Sequence, residues 1–397
     1  MNNYLAEIAN KYDTPLFVLD EAKLEQEVTN FVSAFKKHIY QVEVCYSVKT
    51  NYTPWVVKKI NALGVKPEVI AGFELDLVSQ LGISGPLYVN GPVKQSHELM
   101  QCITAGHIIN IDNVDELKLL VELVTQQKKL TNVGLRVRPE GESWKRFGIK
   151  FQSDAWFEAL ALIEECPYLN MQGLHMHIGT GIIDTKKYQQ AAEYIKKIAL
   201  SLPYALTFID LGGGFATSTA RLNNYSELDW QVPSSESYAK AIGDVLNGYL
   251  EKHDCKLVIE PGRALIDEAM DMITRVVSVN DERIIVDVGK NSVPSVETRV
   301  HPIKPLINSN GLSQRFDIFG PLCMGSDCLG RDILLNKPSV GDYFILKAVG
   351  AYSQSQAMNF IKFAPASVVI DKYNATHLIQ RRQTIDDFMA RDNYEQF

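Results

Sequence analysis

From Val42 to Arg263 the chain alternates short apolar runs with longer amphipathic ones. The short runs are "VEVCYSVK", "KPEVIA", "PLYVNG", "HIINIDN", "NVGLRVR", "MQGLHMHI", "LTFIDLGG" and "CKLVIEPG". Rich in β-branched and aromatic residues, they predict eight strands. Segments such as "TPWVVKKINALG", "VDELKLLVELVTQQ", "DAWFEALALIEE" and "KYQQAAEYIKKIALSL" carry apolar residues at helical spacing and predict the connections. Parallel strands need helical crossovers, and eight right-handed units over roughly 220 residues suffice to close a (β/α)8 barrel. A doubly wound open sheet is the alternative with the same alternation. Beyond Arg263, "MDMITRVVSVN", "RIIVDVG", "YFILKAVGAY" and "SVVIDKY" are β-like runs without strong helices between them, so a second, all-β domain is expected. The early "TPLFVLD" is also strand-like and either begins the barrel or crosses into that domain.

Composition narrows the class of protein. The chain has 397 residues, 46% hydrophobic and 22% charged, with net charge −7 and no long basic run. It lacks the electrostatic footprint of a nucleic-acid binder. The start, "MNNYLAEIANKYDTP", is not a basic region followed by an apolar run, and no stretch approaches the ~20 apolar residues of a membrane span. A cytoplasmic protein is expected. Six scattered cysteines show no C-x-x-C pair, which argues against disulfides and a structural zinc site.

Active sites of such barrels lie at the carboxyl ends of the strands, so the strand ends hold the candidate chemistry. They carry Lys49, Arg136 and Arg138, His175 and His177, Gly212, Gly213 and Gly214, and Glu260 with Arg263. Lys49 is read as ending its strand; alone it would pass as a solvated strand end. The triple glycine of "DLGGGF" lets backbone N–H groups close on an anion, or simply forms a turn. Around the Pro-Gly bend of "EPGR", Glu260 and Arg263 can point into one site, or form a surface ion pair. His175 and His177 share a strand face at metal-ligand spacing, which makes a metal-dependent hydrolase a competitor, although no later histidine sits at a strand end. One assignment uses all these groups without a metal. Lys49 forms a Schiff base with an aldehyde, the glycine loop and Arg263 hold its phosphate, His177 stacks on its ring, and Glu260 pairs with a pyridine nitrogen. The cofactor is then pyridoxal 5′-phosphate (PLP).

In "YSVKTN", "HIGT", "GGGF", "EPGR", "GPLCMGSD" and "GAYS", in this order, the chain resembles the fold-type III PLP enzymes, which include diaminopimelate, ornithine and arginine decarboxylases. The resemblance implies that Lys49 is the Schiff-base lysine, His177 the stacking residue and Glu260 the pyridine partner. Thr180, Gly212, Gly213 and Gly214 become phosphate contacts. Arg136, Gly262, Arg263 and Tyr352 become further cofactor contacts. It also implies a barrel over residues 22–265 and a β-domain made of 1–21 and 266–397, completed by the strand around "PLFVLD". Cys323 of "GPLC" would reach the active site of the other subunit in a homodimer with shared sites, and would serve in catalysis.

A carboxylate at position 260 keeps a ring nitrogen protonated and favours decarboxylation, with Cys323 or Lys49 returning a proton to Cα. For the substrate, the resemblance gives a mixed answer. Relatives acting on free diamino acids place Asp or Glu after the cysteine, where this chain has Met324, and the R-P-x-x-Y stretch usual in diaminopimelate decarboxylases is replaced by "DVGKNSVPSVETRVHPI". Met324, Asp327, Arg299 and Lys290, with Lys304 nearby, are therefore read as contacts for a distally acylated amino acid such as N-citrylornithine, in carboxylate siderophore biosynthesis. Diaminopimelate of the lysine pathway is the alternative substrate. A catalytically silent PLP-binding regulatory protein is the alternative of another class.

Overall fold

The computed structural model describes residues 2–141, 145–219 and 231–392. They form two compact units, 28–141 and 145–216 with 231–265, and 2–27 and 217–219 with 266–392. Strand β1 (Leu16–Asp20) belongs to the latter.

The first unit is a closed, all-parallel barrel. Its strands are β2 (Val42–Ser47), β3 (Lys66–Val69), β4 (Tyr88–Val89), β5 (Ile108–Ile111), β6 (Thr131–Arg136), β7 (Leu169–His175), β8 (Phe208–Asp210) and β9 (Lys256–Ile259). Each of the eight runs read from the sequence overlaps one, β6 and β7 starting one and two residues before theirs, and β2 closes the ring on β9 through the pair Val42↔Leu257. The open-sheet alternative is thereby excluded. Helices alternate with the strands; Asn113 and Ser153 cap two of them by accepting from the N–H groups of Glu116 and Trp156.

The barrel interior is layered. Cys45, Tyr88, Ile108, Phe208 and Val258 form a buried apolar cluster, with the Tyr88 and Phe208 rings edge to face at 5.1 Å. Gly173 leaves room for that phenyl ring, since a Cβ there would lie 2.4 Å from it. Two residues further along each of the five strands or strand ends, on the same inward face, come Ser47, Asn90, Asn110, Asp210 and Glu260, all buried. An apolar floor thus supports a polar upper layer.

The second unit is built on a nine-stranded sheet. After β1 it comprises β10 (Met270–Val279), β11 (Arg283–Val286), β12 (Ile303–Pro305), β13 (Ser313–Phe319), β14 (Cys328–Asn336), β15 (Tyr343–Leu346), β16 (Ala366–Ile370) and β17 (Thr376–Gln380). Its main path runs β14-β13-β11-β10-β1-β16-β17, and β15 joins β10 to β12. The strand of "TPLFVLD" takes the second of its two possible courses, antiparallel to β10 and parallel to β16. Leu16, Val18, Ile273, Ile345 and Val368 bury against Leu5 and Ile8 of the helix Asn2–Tyr12.

Candidate active site

The site is the polar rim at the carboxyl ends of the barrel strands. Lys49 lies just beyond β2, in a 3-10 turn over Val48–Thr50, rather than closing the strand itself. The turn is fixed from two sides. Ser47 N–H donates to the Pro261 carbonyl at 3.2 Å, and Gly262 abuts Thr50 so closely that a Cβ would fall 1.9 Å from Oγ1. The "EPGR" bend and the lysine turn are therefore one assembly. The Lys49 side chain keeps 37% of its surface exposed, so an incoming aldehyde can reach its amine; that amine lies 3.6 Å from the fully buried Glu68 carboxylate.

Glu68 begins a buried chain of hydrogen bonds. It accepts from Ser47 Oγ at 2.6 Å and from Asn90 Nδ2 at 2.8 Å. The same Asn90 amide donates to Glu260 Oε1 at 2.6 Å, while Asn110 Nδ2 donates to Asn90 Oδ1 at 2.8 Å. Glu260 also approaches His175 Nε2 at 3.5 Å. Beside them Asp210 accepts from Gly212 N–H at 2.7 Å through Oδ1, and its Oδ2 is buried.

Burial pushes the Glu260 carboxyl up, but the charge and hydrogen bonding of His175, a hydrogen bond from Asp210 and the Lys49 cation outweigh it and hold Glu260 well below the usual carboxylate range. Asp210 moves the other way, raised by burial and by the Glu260 charge. Burial also raises Glu68, against the attraction of Lys49. His175 is driven down by burial, against the Glu260 charge that pulls it up. The layer thus pulls its acids apart, Glu260 toward the ionised form and Asp210 toward the protonated one.

The glycine loop is a close-packed cradle. His177, driven down to about 3 by burial and by the Lys49 cation, accepts from Gly213 N–H at 3.2 Å through Nδ1. A Cβ on Gly213 would lie 2.3 Å from the Glu260 carbonyl, and one on Gly214 2.3 Å from the Gly179 carbonyl. Three consecutive glycines are therefore demanded by space, a Cβ on Gly212 falling 2.6 Å from His177 Nδ1, and the Gly212 and Gly213 N–H groups are spent on Asp210 and His177. Thr180 is exposed on the neighbouring loop, and Arg263 is buried at the start of a short helix. Arg136 ends β6, pairs with Asp112 at 2.8 Å and stacks on Phe147 at 4.5 Å.

Of the histidine pair, His177 turns its Nδ1 to the glycine loop and His175 its Nε2 toward Glu260. Among the described residues, the three groups near enough to share an ion are His175, Asp210 and Glu260, with ligand atoms within 4.8 Å. Glu68, Asn90, Asn110 and Asp210 are members of the layer that the strand-end reading missed. The signal available was a lone polar residue inside each of "PEVIA", "YVNG", "IINI" and "FIDL".

The remaining expected residues lie in the second unit. Cys323 is exposed and Met324 half-buried, in the loop between β13 and β14. Asp327 is buried and accepts from the N–H groups of Lys290 and Leu322, both at 2.8 Å, so it fixes that loop. Lys290 is buried and engages Glu297 and Ser326. Arg299 is buried and donates to the Thr219 carbonyl at 2.7 Å. Three of the four expected substrate contacts are thus bound to groups of their own unit, because side chains buried this deeply must be paired. Tyr352 is half-buried with φ +64°.

An accessible lysine, a glycine cradle and a buried ionised carboxylate at the mouth of a (β/α)8 barrel fit the aldehyde, phosphate and ring nitrogen of PLP, and they define a PLP-dependent enzyme of the barrel type. Residues 22–267 match the family described as "Pyridoxal-dependent decarboxylase, pyridoxal binding domain", and the chain belongs to that family. It is 26% identical over 405 residues to a diaminopimelate decarboxylase of Aquifex aeolicus, covering 96% of this chain and 92% of that one. It is 28% identical over 407 residues to one of Neisseria meningitidis serogroup A, covering 97% and 96%. The crystal structure of the Methanocaldococcus jannaschii diaminopimelate decarboxylase superposes with a TM-score of 0.90 at 26% identity, covering 97% of this chain and 93% of that one. The chain is a PLP-dependent amino-acid decarboxylase. Among the described residues no helix is long and apolar enough to cross a membrane.

Proposed function

We propose that this enzyme removes the α-carboxylate of a diamino dicarboxylic acid of the diaminopimelate kind, with Lys49 as the PLP anchor. The observation that carries the reading is the accessible Lys49 amine in the same polar layer as the ionised Glu260. Full-length likeness to enzymes named diaminopimelate decarboxylases supports the substrate. When bound, PLP supplies the sink for the electron pair left on Cα as the carboxylate departs. The chain's own groups then have distinct tasks. Glu260 would hold a proton on the ring nitrogen, His177 would pack on the ring, the glycine loop, Thr180 and Arg263 would bind the phosphate, and Arg136, Gly262 and Tyr352 would be further cofactor contacts. Lys49 or Cys323 returns the proton to Cα.

Cys323 belongs to the second unit, and we assign it to the site of a second copy in a homodimer. An exposed apolar run through Met358, Ile361 and Phe363 in the same unit supports association.

A second reading rests on Met324, which offers no acidic group to a distal ammonium. It favours a distally acylated substrate such as N-citrylornithine, as carboxylate siderophore biosynthesis would require. The relatives named above do not point to that pathway. Carbon dioxide release from meso-diaminopimelate, ornithine, lysine, arginine and citrylated diamino acids, with wild type and Lys49→Ala, tests all of this. Fastest turnover of diaminopimelate supports the first substrate, and fastest turnover of a citrylated amine the second. No release from any of them, with PLP bound, would favour the silent regulatory reading.

A further inference from the structure

We propose that Asn90 is a positioning residue that keeps Glu68 and Glu260 as two separate carboxylates, each held to its own task. This rests on the reading in which Glu260 serves the ring nitrogen and Lys49 anchors the cofactor. The amide of Asn90 has two N–H bonds and spends both: one on Glu68 at 2.8 Å and one on Glu260 at 2.6 Å. Two acceptors on one nitrogen bring the carboxylate oxygens within about 5 Å of each other. In a buried layer, two anions that close repel, and without a shared donor one of them takes up a proton.

The amide can satisfy both because its orientation is set from behind. Asn110 Nδ2 donates to Asn90 Oδ1 at 2.8 Å, which turns the NH2 group toward the acids. Asn110 in turn depends on Gly134, where a Cβ would lie 2.2 Å from its Oδ1. The partners on either side differ. Ser47 and Lys49 complete the surroundings of Glu68, and His175 and Asp210 those of Glu260. Glu74 and Arg136 are further charged groups acting on this layer. Asn90 therefore touches both acids, and it links the anchoring lysine to the ring-nitrogen partner without belonging to either.

The test uses holoenzyme of wild type, Asn90→Leu, Asn90→Ser and Asn110→Ser. Borohydride reduction with peptide mapping first locates the cofactor in wild type. The pH midpoint of the bound-cofactor absorption band and the Kd for PLP are then measured for each variant, with circular dichroism and melting curves reporting folding. Asn90→Leu, which removes both donors at similar volume, is expected to move the midpoint by about one pH unit or more and to weaken PLP by about tenfold or more. Asn90→Ser and Asn110→Ser are expected to move both in the same direction by less. Should Asn90→Leu fail to fold, the two serine variants decide. Folded variants with wild-type midpoint and Kd overturn the role of Asn90 alone. A wild type whose reduced cofactor is not on Lys49 overturns the underlying reading, and the role of Asn90 with it.

Discussion

Replacing Gly214 by alanine tests the cradle at its tightest point. The residue has φ +96°, and a Cβ would sit 2.3 Å from the Gly179 carbonyl and 3.3 Å from the Tyr188 hydroxyl. The first distance is about 1 Å short of ordinary contact, and its partner is backbone, so the loops after β7 and β8 must separate by roughly that amount. They are tied together by the Ile182 N–H bond to the Gly214 carbonyl at 2.9 Å, which would lengthen beyond hydrogen-bond range. In the proposed reading both loops bind the phosphate. Losing about two charge-assisted bonds at about 1.5–3 kcal/mol each weakens PLP binding by about 150- to 20,000-fold. The left-handed backbone adds about 1–2 kcal/mol of destabilisation. Titrating apo-protein with PLP, by absorbance and intrinsic fluorescence, gives the Kd, and a melting curve separates the two effects. A folded Gly214→Ala enzyme that binds PLP within about threefold of wild type would refute the phosphate role of this loop.

Gly248 lies within the helix Ser235–His253, and a Cβ there would meet nothing within 4 Å, so Gly248→Ala should raise stability by about 0.5–1 kcal/mol in urea unfolding and leave PLP binding alone. Lys94 and Glu116 form a buried pair at 2.9 Å; Lys94→Met should cost about 3–5 kcal/mol, and adding Glu116→Leu should recover much of that if the stranded charge is the cause. Burial and the Glu68 charge push Glu74 up to about 7 from 4.5. A carboxyl raised in the folded state destabilises it as pH climbs through that window, by on the order of 3 kcal/mol once fully ionised. Glu74→Gln can still accept from Ile70 N–H, so it should gain stability over wild type at pH 8 and lose that advantage toward pH 4; an equal difference at both would contradict the assignment. Cys323 is exposed whereas Cys45, Cys102, Cys166 and Cys255 are buried, so a bulky thiol reagent should modify Cys323 well before those four, as mapped by mass spectrometry.

Why the barrel could be read from the sequence while half of its site could not follows from one feature of its geometry. Strands of a parallel barrel are covered on both faces, so each shows up as an apolar run whatever lies around it. β13 and β14 are partly exposed along their length and mix polar with apolar residues, and they give no clear strand signal for that reason. Lys49, His177, the glycines and Glu260 stood out because each borders a turn, where residue type alone carries a chemical message. Glu68, Asn90, Asn110 and Asp210 sit at or near the ends of strands that look apolar, and their neighbours come from other strands, between 20 and 170 residues away in sequence for the contacts of Asn90. No spacing rule reaches that far. The same holds for Lys290 and Arg299, whose isolated positive charges suggested substrate contacts until partners 7 and 80 residues away accounted for them. Strand registry does supply a rule once a barrel is assumed. The inward face repeats every second residue, so stepping two places on from Cys45, Tyr88, Ile108, Phe208 and Val258 reaches Ser47, Asn90, Asn110, Asp210 and Glu260, and the matching step from Lys66, Gly134 and Gly173 reaches Glu68, Arg136 and His175. All eight lie at the mouth and all are polar. A polar residue there costs desolvation at every position unless its neighbours satisfy it, so a complete ring of them marks a layer arranged around a shared charge rather than a set of independent surface residues.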